Sequence, residues 1–149
     1  DVRQPVRIII DGKNRLTPDL AIFQSESKIL LIRHTIENDL TWPHFVEQVP
    51  MVKAKNSDHI DLRALLAYLA KQGLNDILIE SGAQLAGAFI SENLVDELVL
   101  YQAPKLMGAD GKSLVNMPDV KQLSAAKNLD VTDIRMIGKD IRLTAKFSR

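Results

Sequence analysis

One stretch constrains this chain more than any other: Ile77-Leu78-Ile79-Glu80-Ser81-Gly82-Ala83-Gln84-Leu85-Ala86-Gly87-Ala88-Phe89-Ile90. Its first three residues form an apolar, β-branched run that reads as a buried strand. Glu80 ends the run with a charge, Ser81 and Gly82 turn the chain, and residues 84–93 continue as a small-residue helix. A strand that feeds a helix through Ser-Gly leaves backbone N–H groups pointing out of the helix start. Those donors and the positive end of the helix dipole suit a phosphate or pyrophosphate. Gly82 has no Cβ to hold a ligand away from the backbone. Ala83, Ala86, Gly87 and Ala88 keep the first turns thin, so that the helix sits tight on a sheet or a ligand lies along it.

Two readings of this stretch stand side by side. In one it binds an anionic cofactor; in the other it is a βα unit that closes a core and binds nothing, because a single Gly at a helix start is a weak motif. Glu80 has the same ambiguity. A carboxylate at the C-terminal end of a buried strand lies where open α/β sheets hold their ligands, but a capping or salt-bridged carboxylate fits the same position.

The length of 149 residues fits one domain with a sizeable core. Lys plus Arg equals Asp plus Glu at 19 each, and no basic run breaks the balance, so the chain has no electrostatic footprint for nucleic acid. The absence of cysteine removes disulfides, thiolate nucleophiles and Cys-ligated zinc, and suits a reducing, cytoplasmic setting. No apolar run approaches the roughly 18 residues of a membrane span. The three histidines, His34, His44 and His59, have no metal-ligand spacing, and no metal site is expected.

Residues 6–10 read as a strand ending in Asp11-Gly12, which is either a turn, a hairpin among the options, or a backbone passing close to a ligand. Residues 28–33 read as a second buried strand, followed by His34. Residues 36–49, with Trp42-Pro43 inside, read as a loop with a short helix, Trp42 serving as lid or as packing. Residues 49–54 read as a short third strand at an edge, because of Pro50. A helix follows from Asp61 or Leu62, with Leu62, Leu65, Leu66, Leu69 and Ala70 on one face and Lys71 and Gly73 at its end. With residues 76–80 as the next strand, this is a strand–helix–strand crossover that implies parallel pairing. Residues 97–101 form another strand. Residues 109–123 are irregular. Residues 129–136 and 141–147 form an antiparallel hairpin about Gly138-Lys139-Asp140. The expected fold class is α/β, a mixed sheet with a parallel core and a C-terminal antiparallel hairpin. The dinucleotide fingerprint, the P-loop and the nucleophile elbow are all absent.

Several pieces occur in a telling order: Gln4-Pro5-Val6-Arg7-Ile8-Ile9-Ile10-Asp11, Asn14-Arg15-Leu16-Thr17-Pro18, Ile79-Glu80-Ser81-Gly82, Leu94-Val95-Asp96-Glu97-Leu98 and Ala103-Pro104-Lys105-Leu106-Met107-Gly108. Together they resemble the reductase domain of the bifunctional riboflavin-biosynthesis deaminase/reductase, over nearly the whole chain. The resemblance implies a dihydrofolate-reductase-like three-layer fold. It implies an NADPH-dependent reduction in which the ribosyl group of 5-amino-6-(5-phosphoribosylamino)uracil becomes a ribityl chain. Holding the nicotinamide against the sugar carbon attached to the amine carries much of such a rate.

Carried over by position, Glu80 matches the substrate-contacting acid. Gly82, Ala83, Gln84, Leu85, Ala86, Gly87 and Ala88 match the cofactor-phosphate loop and helix start. Gly12 matches a cofactor contact where other members can have Ser, so only its backbone can serve. Many members have two Gly after the acid, whereas here Ser81 precedes Gly82. No catalytic residue is assigned. The family segment that begins earlier, a strand with a Thr-Gly-rich cofactor segment and an Arg-containing substrate segment, is not found before Asp1, nor is the zinc-dependent deaminase domain. The chain therefore reads as the C-terminal portion of the reductase domain, expected to be weakly active or inactive alone; normal turnover by it would contradict that. A homodimer is implied by the resemblance. The competing readings are another NADPH reductase of the same fold and a non-enzymatic α/β assembly module.

Overall fold

The computed structural model describes residues 4–37, 39–108, 110–118 and 121–148. Asp1, Val2 and Arg3 at the chain start, and Ala109 at the head of the irregular segment, lie outside the described residues. The chain divides into two compact units, Asp1–Asp76 and Ile77–Arg149.

The first unit is built on a parallel sheet of three strands, β1 (Arg7–Ile10), β2 (Ile29–Arg33) and β3 (Val46–Pro50), in the order β1-β2-β3. The central strand is buried along its whole length, as expected for a continuous apolar run covered on both faces. Phe23, Ile29 and Leu31 form one buried cluster, against which Ile9, Leu16, Trp42, Phe45 and Val46 pack. Arg7 fastens the β1–β2 connection: its guanidinium donates to Ser27 Oγ, Ile22 O and Ser25 O at 2.7, 2.7 and 2.5 Å. Since β1 and β2 run parallel, Asp11-Gly12 does not make a hairpin.

The helix α1 (Leu62–Lys71) begins where its capping chemistry says it should. The Asp61 carboxylate accepts from Ala64 N at 2.9 Å, satisfying one of the free first-turn donors. It ends at Gly73, with φ of +79°, where Leu74 N bonds Leu69 O and Gly73 N bonds Ala70 O. Leu62, Leu65 and Leu69 are buried, whereas Ala70 is exposed.

The second unit holds α2 (Ala83–Ser91) and an antiparallel sheet of β4 (Glu97–Gln102), β5 (Leu129–Ile137) and β6 (Asp140–Phe147), in the order β4-β6-β5. Asn93, with φ of +55°, closes α2 as Gly73 closes α1, with Leu94 N on Phe89 O. The β5–β6 pair turns at Gly138, φ +62°.

Three expectations are corrected. Residues 76–80 are not a strand: no ladder among the described residues includes them, and Leu78 is 80% exposed. An apolar β-branched run describes side chains that suit a strand, but the ladder depends on a neighbouring backbone that periodicity cannot see. The parallel pairs among the described residues are consequently β1–β2 and β2–β3, with no α-helix among the described residues of their connections, rather than a crossover through α1. The ladders comprise one parallel and one antiparallel three-stranded sheet, the parallel part and the C-terminal antiparallel hairpin expected of the fold class. Finally, residues 36–49 hold no helix among the described residues. Short helical turns lie instead at Ala21–Phe23 and Leu123–Ala125, and β3 starts earlier than expected, at Val46.

Candidate functional site

In the first unit, the strand ends of the parallel sheet carry the polar chemistry. Asp11 and Arg33, one residue beyond β1 and the last residue of β2, are its buried charged side chains. They pair at 2.9 Å. Arg33 also bonds Leu16 O at 2.9 Å and, through Nη1, Glu37 and Gln48 at 3.2 Å each. Its guanidinium carbon lies 4.8 Å from the Trp42 ring centroid, a cation–π arrangement. Trp42 in turn meets Phe23 edge-on with centroids 5.0 Å apart, so its role is packing.

Gly12 follows Asp11. A Cβ there would lie 3.2 Å from His34 Nε2, so the backbone is what residue 12 offers. His34 is held between two carbonyls, Met51 O at 3.1 Å from Nδ1 and Asp58 O at 3.0 Å from Nε2, which makes it a structural residue. His44 meets Glu26 at 3.2 Å on the surface. No group of metal-binding side chains occurs among the described residues.

In the second unit, Glu80, Ser81 and Gly82 are exposed. Glu80 has no partner among the described residues, so neither the capping nor the ion-pair role considered for it is realised there. Gly82 is the N-cap of α2 and supplies no side-chain cap. The amides of Ala83, Gln84 and Leu85 have no hydrogen-bond partner among the described residues, the first intrahelical bond being Ala86 N to Gly82 O. The space where a Gly82 Cβ would stand is open. These are the features an anion needs: several convergent donors, the positive helix end and room to approach.

The rest of the small-residue run is engaged differently. Gly87 is buried, and its open side is filled by the backbone of Asn116, whose N–H donates to Ala83 O at 2.9 Å. The thin helix face accommodates the chain's own 112–118 segment. Ala86 and Ala88 are half-buried. Gly12 belongs to the first unit and Glu80 with residues 82–88 to the second.

The sequence reading missed the Asp11–Arg33 pair. Its trace was there: a charge closing each of two apolar strand runs, opposite in sign.

A unit built on a parallel sheet, and a second in which α2 starts without a side-chain cap beside an antiparallel sheet, make this an α/β protein. The family model for the RibD C-terminal domain matches residues 1–143, and the chain belongs to that family. It is 39% identical over 143 residues to the riboflavin biosynthesis protein RibD of Escherichia coli, covering 96% of this chain and 38% of that protein. It is 33% identical to the 5-amino-6-(5-phosphoribosylamino)uracil reductase of Buchnera aphidicola subsp. Acyrthosiphon pisum, covering 95% of this chain and 67% of that one. Among solved structures it matches Acinetobacter baumannii RibD with a TM-score of 0.81 and 27% identity, covering 99% of this chain and 39% of that one. The fold is that of the RibD reductase domains. The chain thus spans less than half the length of its RibD relatives.

Proposed function

We propose that this chain is the reductase part of a riboflavin-biosynthesis enzyme. It reduces the ribosyl group of 5-amino-6-(5-phosphoribosylamino)uracil to the ribityl product with NADPH. The observation that carries this reading is the α2 start, with three unpartnered amides beside an open Gly82 and an exposed Glu80, in a member of this family. NADPH supplies a hydride to the sugar carbon attached to the amine.

The residues present fit such a cofactor. Ala83, Gln84 and Leu85 offer N–H groups to a phosphate oxygen, and the α2 dipole favours the negative charge. Gln84 is exposed at that helix start, and Ala86, Gly87 and Ala88 complete the segment. Within the first unit, taken by itself, Gly12 offers its backbone just beyond β1 as a separate candidate cofactor contact. Glu80 accepts hydrogen bonds from the substrate and fixes its orientation, a positioning contribution rather than proton transfer. In the full-length protein the chain works beside a zinc-dependent deaminase domain.

The same reading implies a homodimer. The antiparallel sheet supports it: β5 lies at the sheet edge, and its Val131, Ile134 and Met136 are 52, 63 and 62% exposed. Edge strands that present apolar side chains pair readily with another chain.

The deciding experiment follows NADPH oxidation by the full-length protein with the phosphoribosylaminouracil and identifies the product. Formation of the ribityl compound supports the reading. Saturable NADPH binding without that product would move the chain to another reductase of this fold. Absence of both binding and turnover would leave it a non-enzymatic module.

A further inference from the structure

Arg33 is the bulkiest fully buried side chain of the described residues, and every partner of its Nη2 lies in the turn that leaves β1. The Asp11 carboxylate accepts from Arg15 N at 2.9 Å through Oδ1, and from Leu16 N at 3.0 Å and Arg33 at 2.9 Å through Oδ2. Asn14 N closes on Asp11 O at 3.1 Å. Asn14 itself, with φ of +51°, sends its side-chain amide to Thr35 O at 3.2 Å. The turn is therefore a ring about one carboxylate.

This arrangement accounts for three of the five amides from residue 12 to residue 16: Asn14, Arg15 and Leu16. Gly12 N–H and Lys13 N–H have no hydrogen-bond partner among the described residues. They sit at the carboxyl end of a parallel strand, where α/β sheets meet their ligands. A carboxylate left facing outward at Asp11 would repel an anion there; Arg33 turns it inward and neutralises it. Stability alone gives little reason for such a pair, since well-packed apolar residues replace buried ion pairs without loss in many proteins.

We propose that Arg33 is a positioning residue for nucleotide binding, acting through Asp11 to hold the 12–16 turn with the Gly12 and Lys13 amides available to a phosphate oxygen of NADPH. This rests on the NADPH reading above. His34, whose Nε2 would lie 3.2 Å from a Cβ at position 12, keeps residue 12 to its backbone, so the position of that backbone is what decides affinity.

The test uses the full-length protein and four variants: Arg33→Gln, Arg33→Lys, Asp11→Asn and, as a control, Leu65→Ala. Leu65 is buried in α1 and absent from the network, so its loss lowers stability without touching the turn. NADPH dissociation constants come from nicotinamide fluorescence, and loop order from the rate of tryptic cleavage after the exposed Lys13 and Arg15. Losing a charge-assisted bond predicts that Arg33→Gln and Asp11→Asn raise the NADPH dissociation constant about tenfold or more and speed both cleavages. The pyrimidine KM should stay within about twofold. Arg33→Lys keeps the charge but loses the fork, and falls between. It also keeps the test alive where Arg33→Gln does not fold. Leu65→Ala lowers the urea midpoint with NADPH affinity unchanged. NADPH affinity equal to wild type in folded Arg33→Lys or Asp11→Asn would overturn the proposal while leaving the reductase reading intact. A wild-type protein that binds no NADPH would overturn both.

Discussion

A Cβ on Gly87 would lie 2.6 Å from the carbonyl carbon of Asn116, in the middle of a backbone that cannot yield as a side-chain tip can. Helix α2 and the 112–118 segment are thus fitted to each other at one residue, and Asn116 N to Ala83 O fastens the contact one turn earlier. Gly87→Ala should lower stability by about 1–3 kcal/mol, the usual range for overpacking, despite the better helix propensity of Ala. Urea unfolding measures this, and faster tryptic cleavage after Lys112 would show which segment has been displaced. An unchanged midpoint would mean that Asn116 moves aside without cost.

Glu80 and the α2 amides make separable predictions. Glu80→Gln in the full-length protein should raise the substrate KM more than the NADPH KM, because the exposed carboxylate is assigned to substrate positioning. The reverse split would move Glu80 to the cofactor side.

Capping gives a prediction independent of function. Asp61→Ala removes the acceptor for Ala64 N at the head of α1 and should cost about 1 kcal/mol. Asp61→Asn should recover most of it, since the amide oxygen still accepts. Thermal or urea midpoints of the two variants decide this, equal losses in both being the contrary result.

The parts legible in the sequence were those whose cause is local. Asp61, Lys71 and Gly73 bounded α1 because caps and positive-φ glycines act within a turn. The buried run of β2 reported burial directly, whereas the alternation of Ile141, Leu143, Ala145 and Phe147 gave the strand but not its burial: Ala145 is buried, Leu143 and Phe147 are half-buried and Ile141 is exposed. Residues 77–79 misled because strand character needs a partner, and an apolar run looks alike whether or not a neighbour supplies a ladder. The family resemblance pointed to Glu80 and Gly82 as candidates, and the backbone then showed which nearby amides have no partner among the described residues. Arg33 was hidden by its type: an arginine is read as surface until the carboxylate that permits its burial, 22 residues away in sequence, is seen beside it. Gly87 was read either as a thin face seating the helix on a sheet or as room for a ligand, because sequence shows an absent Cβ but not what fills the space.

The antiparallel sheet carries a charge cluster whose titration is predictable in sign. Asp133, just past a register shift in β5, accepts from Arg135 at 2.7 and 2.9 Å and from Arg142 on β6 at 2.9 Å. The bond from Arg135 first, then that from Arg142, holds its carboxyl below the ordinary 3.8 of aspartic acid. A carboxyl depressed in the folded state contributes stability above its unfolded pKa, and that contribution is lost as pH falls through the folded value. The cluster should therefore be intact at neutral pH and loosen only in acid below the usual aspartate range. Carboxyl titration followed by NMR should place the Asp133 midpoint below that of an unpaired aspartate, and Arg135→Ala should return it upward. Because the group is only half-buried, added salt should also narrow the difference between the two proteins. A midpoint indifferent to Arg135→Ala would mean that Arg142 alone holds the carboxylate across the β5–β6 pair.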